Sequence, residues 1–418
     1  MSIREELISQ AEAAKEAARK LAKAGTDKKN KTLNLIADKL IERQDEILAS
    51  NEKDMEKGRE NDLSRALLDR LQLTESRIKG MAQGLREVAA QDDPIGEVPE
   101  MWRRPNGLQI GKIRVPLGVI GIIYEARPNV TVDVAGLCLK SGNTVILRGG
   151  SNAFNSNQIL TNIIQDGLRE AGLPRESVQL ILTTDRKAVD ILFTLNDYLD
   201  VLIPRGGAGL IQKVVNESKV PVIETGVGNC HVYVNKDADL TKAKKIVFNA
   251  KYSRPAVCNS AESLLVDQEI AGEFLPEMAR IFAESNVELR GCERTRNIVP
   301  KIKKATEEDY ATEYLDYIMS IKVVDNYEEA VEHIYHYGTK HSEAIITENY
   351  TTARAFLDEI DAAAVYVNAS TRFTDGGQFG LGAETGISTQ KLHARGPMGL
   401  KELTTTKYII MGDGQIRE

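Results

Sequence analysis

The feature that most constrains this chain is the alternation of short β-branched runs with amphipathic stretches after residue 116. The runs are GVIGIIYE (118–125), NTVILRGG (143–150), VQLILTT (178–184), DVLIPRGG (200–207) and VPVIETG (220–226). The stretches between them have apolar residues at helical spacing, as in NSNQILTNIIQDGLREAG. Strand, helix and strand repeated in this way predict an α/β fold, with a parallel sheet covered by helices on both faces.

Three other regions complete the predicted layout. Residues 2–24 and 28–57 have apolar residues at helical spacing, so the first part of the chain is predicted to be mostly helical. After Cys258 a second alternating series, SLLVD, SIKVVD, EAIIT and AAVYVN, predicts a second α/β unit. Segments 107–116 and 403–411 are extended but fit neither series, which predicts a two-stranded flap suited to subunit contact.

Composition restricts the class of partner and the compartment. A chain of 418 residues, 42% hydrophobic and 28% charged, has the composition of a globular protein with two or three domains. The net charge of -7 is spread among interleaved residues, so no basic face is expected for nucleic acid. No apolar run reaches the roughly 20 residues that span a bilayer, and the amino terminus lacks a signal-peptide core. The four cysteines show no CxxC spacing, so we expect no disulfide framework, no metal site and a cytoplasmic location.

Two predicted strands end directly in an arginine and glycines. The first gives Arg148, Gly149 and Gly150 in ILRGGSNAFNSNQ, and the second gives the turn 205–209 in IPRGGAGLIQ, with Arg205, Gly206 and Gly207. At such ends an α/β sheet can offer a phosphate backbone N–H groups and a helix N-terminus. The GxGxxG fingerprint is absent, and the same glycines are also typical of tight turns without a ligand.

Cys258 lies in KYSRPAVCNSAESLLV, between an arginine-proline turn and an apolar run. Only a thiolate is nucleophilic, so a catalytic cysteine must be partly exposed and close to positive charge. Arg254, Asn259 and Ser260 provide such surroundings better than the neighbours of the other cysteines do. A free cysteine is more often a buried, inert residue, and the local sequence leaves both interpretations open.

Together these stretches resemble the aldehyde dehydrogenase superfamily, and within it the branch that reduces an acyl phosphate. The stretch ETGVGNCHVYV matches the superfamily's Glu-Leu-Gly-Gly run at Glu224, and Cys258 follows 258 - 224 = 34 positions later. The resemblance covers nearly the whole chain. Four blocks in order are specific to that branch: YEARPNVTVD, YSRPAVCNSAESLLV, VDNYEEAVEHIYHYGTKHSEAI and GQFGLGAETGISTQKLHARGPMGLKELTTTKY.

The resemblance implies three domains. These are a doubly wound cofactor-binding domain (1–106, 117–228 and 370–400), a catalytic α/β domain (229–369) with Cys258 at the interface, and an oligomerisation β-flap (107–116 and 401–418). A homo-oligomer, either a dimer or a tetramer, is therefore expected.

The implied reaction is the reduction of L-glutamyl 5-phosphate by NADPH to glutamate 5-semialdehyde and phosphate, the second step of proline biosynthesis. Cys258 is expected to attack the acyl phosphate and form a thioester, which hydride then reduces. The Cys258 backbone N–H and the Asn129 side chain are the expected donors to the oxyanion. Glutamate 5-kinase, which makes the acyl phosphate, is the candidate protein partner.

The sequence departs from ordinary NAD-using members of the superfamily at the cofactor. Their Lys-Pro-Ser-Glu run is RGGS here, with Arg148 at the lysine position and Ser151 at the glutamate position. A guanidinium in place of a carboxylate favours the 2′-phosphate of NADP(H). Glu224 is expected to contact the nicotinamide ribose or to cap its loop, since a phosphate-linked reduction needs no activated water.

The substrate has two anionic groups and an ammonium, which need complementary side chains. Candidates for the anions are Arg127, Arg254 and Arg372, with Asn259 beside them, and Asp375 is the candidate for the ammonium. Each of these residues is equally typical of a solvated ion pair. The superfamily's glutamate on the nicotinamide ribose falls near Glu313 or Asp316, and His341 lies in a signature block with a structural role favoured.

Two other functions fit the same residues. One is another cysteine-dependent aldehyde dehydrogenase, either hydrolytic or acylating coenzyme A. The other is a non-catalytic relative that acts as a binding protein, although the retained Cys258 and both arginine-glycine turns argue against it.

Overall fold

The computed structural model describes residues 2–125 and 127–417, with the backbone alone at residue 66. The outermost residues of the predicted first domain and flap, 1 and 418, and Ala126 in the block YEARPNVTVD lie outside the described residues. The chain divides into two compact units. The first comprises the described parts of Met1–Thr225, Gly380–Gly386 and Met398–Glu418, and the second comprises Gly226–Phe379 and Ile387–Pro397.

The helices, in chain order, are α1 (Ile3–Leu21), α2 (Thr26–Glu42), α3 (Gln44–Glu60), α4 (Arg65–Leu71), α5 (Glu75–Ala90), α6 (Pro128–Lys140), α7 (Phe154–Glu170), α8 (Lys187–Leu192), α9 (Ala208–Glu217), α10 (Leu240–Tyr252), α11 (Gln268–Glu284), α12 (Glu293–Ile298), α13 (Glu307–Ala311), α14 (Tyr327–Tyr337) and α15 (Tyr350–Glu359). Short 3₁₀ turns cover Ser151–Ala153, Arg175–Ser177 and Thr371–Phe373.

The strands are β1 (Glu100–Arg103), β2 (Gln109–Pro116), β3 (Val119–Tyr124), β4 (Thr144–Arg148), β5 (Val178–Leu180), β6 (Val201–Arg205), β7 (Cys230–Val234), β8 (Ala261–Asp267), β9 (Glu288–Gly291), β10 (Lys303–Lys304), β11 (Ile318–Val324), β12 (Ser342–Ile346), β13 (Ala364–Val367), β14 (Ile387–Ser388), β15 (Gly396–Pro397) and β16 (Thr404–Met411).

The first unit contains the predicted parallel sheet, in the order β5-β4-β3-β6. The fifth predicted run joins it through a parallel bridge between Leu202 and Val222. Strands β3 and β4 are buried along their whole length, as expected for a parallel sheet covered on both faces. Helix α1 packs Leu7, Ala11 and Ala14 into the core of one face. The predicted α/β fold of this part is confirmed.

The helical first hundred residues differ from the prediction in one place. The periodic stretch 28–57 forms two helices, α2 and α3, because the backbone at Arg43 is not helical (φ -105°, ψ 24°). Apolar spacing continues across Arg43 without glycine or proline, so the pattern gave no signal for the break.

The second unit is built on a parallel sheet in the order β10-β9-β11-β8-β7-β12-β13. Its core combines strand residues such as Val232 and Leu264 with Phe274, Met278 and Phe282 of α11. The second alternating series is therefore an α/β unit, as predicted. Because these strands are parallel, the turns that enter β7, β8, β12 and β13 meet at one edge of the sheet, the amino edge.

The predicted flap is an antiparallel sheet in the order β1-β2-β16. Strand β16 pairs with β2 along its length, from Thr404 opposite Pro116 to Met411 opposite Gln109. Strand β1 was not predicted, since its four residues EMWR are too short for a period-two pattern. The side chains of Met101, Tyr408, Ile410 and Met411 are exposed large hydrophobic groups on these strands.

The compact units do not follow the predicted boundaries. Residues 226–228, 370–379 and 387–397 belong to the second unit, whereas the prediction assigned 117–228 and 370–400, together with 1–106, to the cofactor-binding domain. The reason is hydrogen bonding that local sequence does not show. Gly226 donates its N–H to the Ile387 carbonyl (2.8 Å), and the Asn259 amide donates to the Thr374 carbonyl (2.8 Å).

A buried carboxylate occupies the N-terminus of α7. Asp54, on α3, is 1% exposed and accepts the backbone N–H and side-chain amide of Asn155 (3.1 and 2.8 Å). It also accepts the N–H and hydroxyl of Ser156 (2.8 and 2.7 Å). A carboxylate at this position satisfies the first donors of the helix and its dipole. Asp54 therefore fastens α3 to the sheet-covering helix α7.

Replacing Asp54 with Ala is expected to lower the free energy of unfolding by about 3 kcal/mol, because hydrogen bonds to a buried charge are lost and donors are left unsatisfied. The measurement is the shift of the thermal midpoint in calorimetry. Asp45→Ala, on the exposed face of the same helix, is the matched control and should change the midpoint little. An equal effect of both substitutions would contradict the role given to Asp54.

Candidate active site

Arg148 ends β4, but its guanidinium faces the protein. Its side chain is 9% exposed and donates to the carbonyls of Gly149 (2.9 Å) and Thr184 (3.1 Å). Burial, followed by the charge of Arg186, lowers the pKa of Arg148. Its Nε has no hydrogen-bond partner among the described residues. Arg148 thus holds the loop after β5 through its bond to the Thr184 carbonyl. The contact with a cofactor phosphate that was predicted for Arg148 stays a prediction.

The glycine turn after β4 is explained largely by packing. A Cβ on Gly149 would overlap the side-chain amide of Asn157 and approach the ring of Tyr124. Gly150 leads into the 3₁₀ turn that begins at Ser151, whose side chain is exposed. Since Asp54 already occupies the first donors of α7, this helix N-terminus is not available to a phosphate as the sequence had suggested.

The second arginine-glycine turn is more open. Gly207 precedes α9 with no side-chain cap, and Gly207 and Gly209 are exposed. A Cβ on Gly209 would meet nothing within 4 Å. Glu125, at the end of β3, accepts the Gly207 N–H (2.9 Å) and lies against Gly206, where a side chain would collide with it. Because Glu125 takes the Gly207 N–H, the backbone N–H groups that α9 can offer to a phosphate are those of the exposed residues Ala208 and Gly209.

Arg205 joins this turn to the start of α6. Its guanidinium donates to the Thr385 carbonyl (3.1 Å), and its charge acts on the half-buried Asp133. Burial raises the pKa of Asp133, and the bond from the Asn129 amide (2.9 Å) opposes that shift. Asn129 is exposed on the first turn of α6. Asp133 was not predicted because, in a helical pattern, it reads as an ordinary polar residue.

The remaining predicted residues of the first unit are accessible. Arg127 is half-buried immediately before α6, and Glu224 is half-buried near the end of the last sheet segment. Arg186 was not predicted. It is exposed two residues beyond the Thr184 carbonyl that binds Arg148, in a loop where the sequence showed no glycine signal.

Cys258 lies in the turn between α10 and β8, at the amino edge of the second unit's sheet, and is half-buried. Gly228 packs on its carbonyl so closely that a Cβ there would overlap it. The Cys230 thiol lies 3.1 Å from the same carbonyl oxygen. The other cysteines differ: Cys138 is buried in α6, as predicted, and the sulfur of Cys292 caps α12.

Two guanidinium groups lie in the surroundings of Cys258. Burial, followed by the charge of Arg254, lowers the pKa of Arg372, and the charges of Asp375 and Cys258 oppose that shift. Arg254 is exposed and Arg372 is half-buried. A pair of like charges next to a cysteine is typical of a site for an anion. The structure thus brings three of the residues predicted for the substrate, Arg254, Arg372 and Asp375, into the surroundings of Cys258.

Asn259 and Asp375 have structural bonds of their own. Asn259 is buried, its side-chain Oδ1 accepts from Arg372, and its side-chain Nδ2 donates to the Thr374 carbonyl. The side chain of Asp375 accepts the N–H groups of Gly377 (2.9 Å) and Gln378 (3.1 Å). Asn259 therefore positions Arg372, which also donates to the Ser253 hydroxyl (3.1 Å). Direct contact of Asn259 with a substrate stays a prediction.

His341 is fully buried, and burial lowers its pKa to about 4, so it is neutral. Its Nδ1 lies 2.9 Å from the Ser342 hydroxyl and 3.7 Å from the Cys230 sulfur. The Ser342 hydroxyl is 2.6 Å from that of Thr374, which is 2.7 Å from the Tyr366 hydroxyl. His341 thus lies next to Cys230, whose sulfur in turn lies against the Cys258 carbonyl.

The residues between α10 and β8, 253–260, which include Cys258, are called the nucleophile turn. Of the two predicted acids, Glu313 lies nearer this turn. Its carboxylate accepts the Gly228 N–H (2.8 Å), whereas Asp316 is exposed and accepts from Tyr317. A buried pair lies close by: Lys251 and Glu262 are 2.5 Å apart, and burial raises the pKa of Glu262 to about 8. Within the described residues no group of three or more His, Cys, Asp or Glu side chains could hold a metal ion. A helix long and apolar enough to cross a membrane is likewise absent from 2–125 and 127–417.

The chain belongs to the aldehyde dehydrogenase family, which it matches over residues 2–316. It is 70% identical over 418 residues, the full length of both chains, to the gamma-glutamyl phosphate reductase of Halothermothrix orenii. The crystal structure of gamma-glutamyl phosphate reductase from Thermotoga maritima matches with a TM-score of 0.95 at 54% identity, over 99% of this chain and 100% of that one. An acetylating aldehyde dehydrogenase from Geobacillus thermoglucosidasius shares the fold (TM-score 0.73, 17% identity, 100% and 98% covered).

These relatives confirm the predicted fold and the predicted branch of acyl-phosphate reductases, so the protein is an oxidoreductase.

Replacing Arg372 with Gln is expected to slow the alkylation of Cys258 by iodoacetamide at neutral pH about tenfold, because a positive charge that favours the thiolate is removed. The rate is followed by mass spectrometry of the Cys258 peptide. Arg354→Gln, on the exposed surface of α15, is the control and should leave the rate unchanged. An unchanged rate in Arg372→Gln would contradict the proximity of this charge to the thiol.

Proposed function

We propose that this protein reduces L-glutamyl 5-phosphate to glutamate 5-semialdehyde and phosphate with NADPH, in the second step of proline biosynthesis. The observation that carries the proposal is the pairing of Arg254 and Arg372 in the surroundings of the half-buried Cys258. An acyl phosphate presents anionic oxygens next to the carbon that the thiol must attack, and guanidinium groups bind such oxygens through paired N–H donors.

The first chemical step uses Cys258 as the nucleophile. The thiolate sulfur forms a bond to the acyl carbon while the bond from that carbon to the phosphate oxygen breaks, and phosphate leaves. Arg372, held by Asn259 and Ser253, neutralises the departing charge without having to reorganise. The backbone N–H of Cys258 and the amide of Asn129 are the proposed donors to the carbonyl oxygen, as the sequence suggested.

The resulting thioester on Cys258 is then reduced, and the carbon–sulfur bond breaks to release the aldehyde and the thiol. NADPH supplies the hydride when bound. The chain's own part is to hold the acyl group and to keep water away, since hydrolysis would waste the thioester. Glu224 is therefore proposed to contact the nicotinamide ribose rather than to activate water, and Glu313 positions the turn at Gly228.

Residues of the first unit fit the phosphate groups of a dinucleotide cofactor, namely its pyrophosphate and its 2′-phosphate. The exposed residues Ala208 and Gly209, which follow the Gly206–Gly207 turn at the N-terminus of α9, provide backbone donors for the pyrophosphate. Arg186 provides an exposed guanidinium beside Arg148, at the carboxyl ends of β4 and β5, where a 2′-phosphate would need one. We assign the phosphate contact to Arg186 and the support of its loop to Arg148.

The flap is proposed to form contacts between copies of this chain. Its outer strands expose Met101, Tyr408 and Ile410, apolar groups whose burial would favour association into the predicted dimer or tetramer. The kinase that forms the acyl phosphate is the predicted source of the substrate, and direct transfer from glutamate 5-kinase stays a prediction, as does the cytoplasmic location.

In the reverse direction, reduction of NADP⁺ by glutamate 5-semialdehyde is expected to depend on added phosphate, because phosphate must cleave the thioester. The absorbance of NADPH measures the rate. Cys258→Ala should lower the rate by at least 10³-fold, since the covalent route is lost.

The same assay separates the alternatives. Turnover that continues unchanged without phosphate would identify a hydrolytic enzyme, and turnover that requires coenzyme A would identify an acylating one. Activity retained by Cys258→Ala would remove this residue from the nucleophile role.

Replacing Arg186 with Gln is expected to raise the KM for NADPH at least tenfold and to leave the KM for NADH unchanged, because only NADPH has the 2′-phosphate. Arg169→Gln, at the far end of α7, is the matched control with no expected effect on either cofactor. Equal affinity of Arg186→Gln and the unaltered enzyme for NADPH would show that another residue, such as Arg148, holds the phosphate.

A further inference from the structure

A second cysteine, Cys230, lies against the buried side of the nucleophile turn. Cys230 begins β7 and is 0% exposed, and β7 pairs with β8 so that Cys230 lies opposite Ala261. The register shifts between Cys230 and His231, because His231 lies opposite Ser263 and leaves Glu262 of β8 as an extra, unpaired residue. The Cys230 sulfur lies 3.1 Å from the carbonyl oxygen of Cys258.

The same carbonyl is held from another side by Gly228. No Cβ fits at this position, since it would overlap the Cys258 carbonyl group. The Gly228 backbone is itself fixed, because its N–H donates to the Glu313 carboxylate (2.8 Å). Gly228 and the Cys230 thiol therefore both lie against the peptide that follows the nucleophile.

The chemical state of Cys230 suits a donor. Burial, followed by the charge of Glu343, raises the pKa of its thiol well above the ordinary value, so the sulfur keeps its proton. The neutral His341 lies 3.7 Å away and supplies no positive charge that would stabilise a thiolate. A protonated thiol is a weak donor whose burial costs little, and it can fill this space without competing as a nucleophile.

We propose that Cys230 is a positioning residue for the nucleophile. Its S–H donates to the Cys258 carbonyl and, together with Gly228, holds the nucleophile turn in one orientation toward the acyl carbon. The proposal deepens the proposed function, since it rests on Cys258 as the attacking group. Because reacting atoms must approach in a narrow geometry, a turn that is free to rotate would react more slowly without binding the substrate less tightly.

Three variants separate donation from packing. Cys230→Ala removes both the donor and part of the volume, Cys230→Val fills the volume without a donor, and Cys230→Ser keeps a donor. In the phosphate-dependent assay we expect Ala and Val to lower kcat about tenfold with KM for glutamate 5-semialdehyde within twofold, and Ser to recover most of kcat. NADPH binding and the circular dichroism spectrum establish that each variant is folded.

Alkylation of Cys258 by iodoacetamide supplies a readout that needs no substrate. We expect the rate to change in Cys230→Ala and to return toward the original value in Cys230→Ser. The matched control is Cys138→Ala, which removes another fully buried thiol in the first unit and should alter neither kcat nor the alkylation rate.

The outcomes are distinguishable. Unchanged kcat in Cys230→Ala, or recovery by Val but not by Ser, overturns the donor role. A parallel rise in KM and fall in stability in all three variants overturns it in favour of packing alone. If the unaltered enzyme shows no phosphate-dependent turnover, the proposed function fails, and the alkylation series still decides the role of Cys230.

Discussion

The pairing register of β7 with β8 is the constraint on which the surroundings of Cys258 in the second unit depend. Parallel pairing brings the residues that enter β7 beside those that enter β8, and there Gly228 and Cys230 lie against the Cys258 carbonyl. Ligands of open α/β sheets usually bind at the carboxyl ends of the strands. The open glycine turn of the first unit follows β6 and so lies at such a carboxyl end, whereas the second unit presents its cysteine at the amino edge of the sheet.

The polar groups around this edge are arranged for an anion. Arg372 is partly removed from water and lies in the field of Arg254, and both effects disfavour its charged form. The bonds to Asn259 and Ser253 hold the guanidinium there, and both of these partners are uncharged. An anionic substrate would relieve both costs at once, because it supplies the missing negative charge and hydrogen-bond acceptors. Perturbed groups held in this way are typical of functional sites.

Sequence patterns predicted the helices and strands that are long enough to show a periodic pattern. They missed the features that depend on the contacts of single residues. The parallel sheets and the pairing of β2 with β16 follow from runs long enough to show a period. The break at Arg43 and the four residues of β1 carry no such pattern. Asp54 is an ordinary acidic residue of a helix until the fold brings it to α7, where it takes the donors expected for a phosphate. Arg148 was correctly placed at a strand end, but its burial and its carbonyl partners could not be read from the sequence.

The likeness of this fold to an acetylating aldehyde dehydrogenase at 17% identity shows that the scaffold does not choose the acyl acceptor. A cysteine thioester can pass its acyl group to water, to a thiol or to phosphate, and the nucleophile is the same in each case. What differs is the charge that the acceptor brings. Coenzyme A attacks through a sulfur far from its phosphates, whereas phosphate brings its charge to within a bond of the acyl carbon. Two guanidinium groups in the surroundings of Cys258, those of Arg254 and Arg372, match the second case, and their role in selectivity for phosphate stays a prediction.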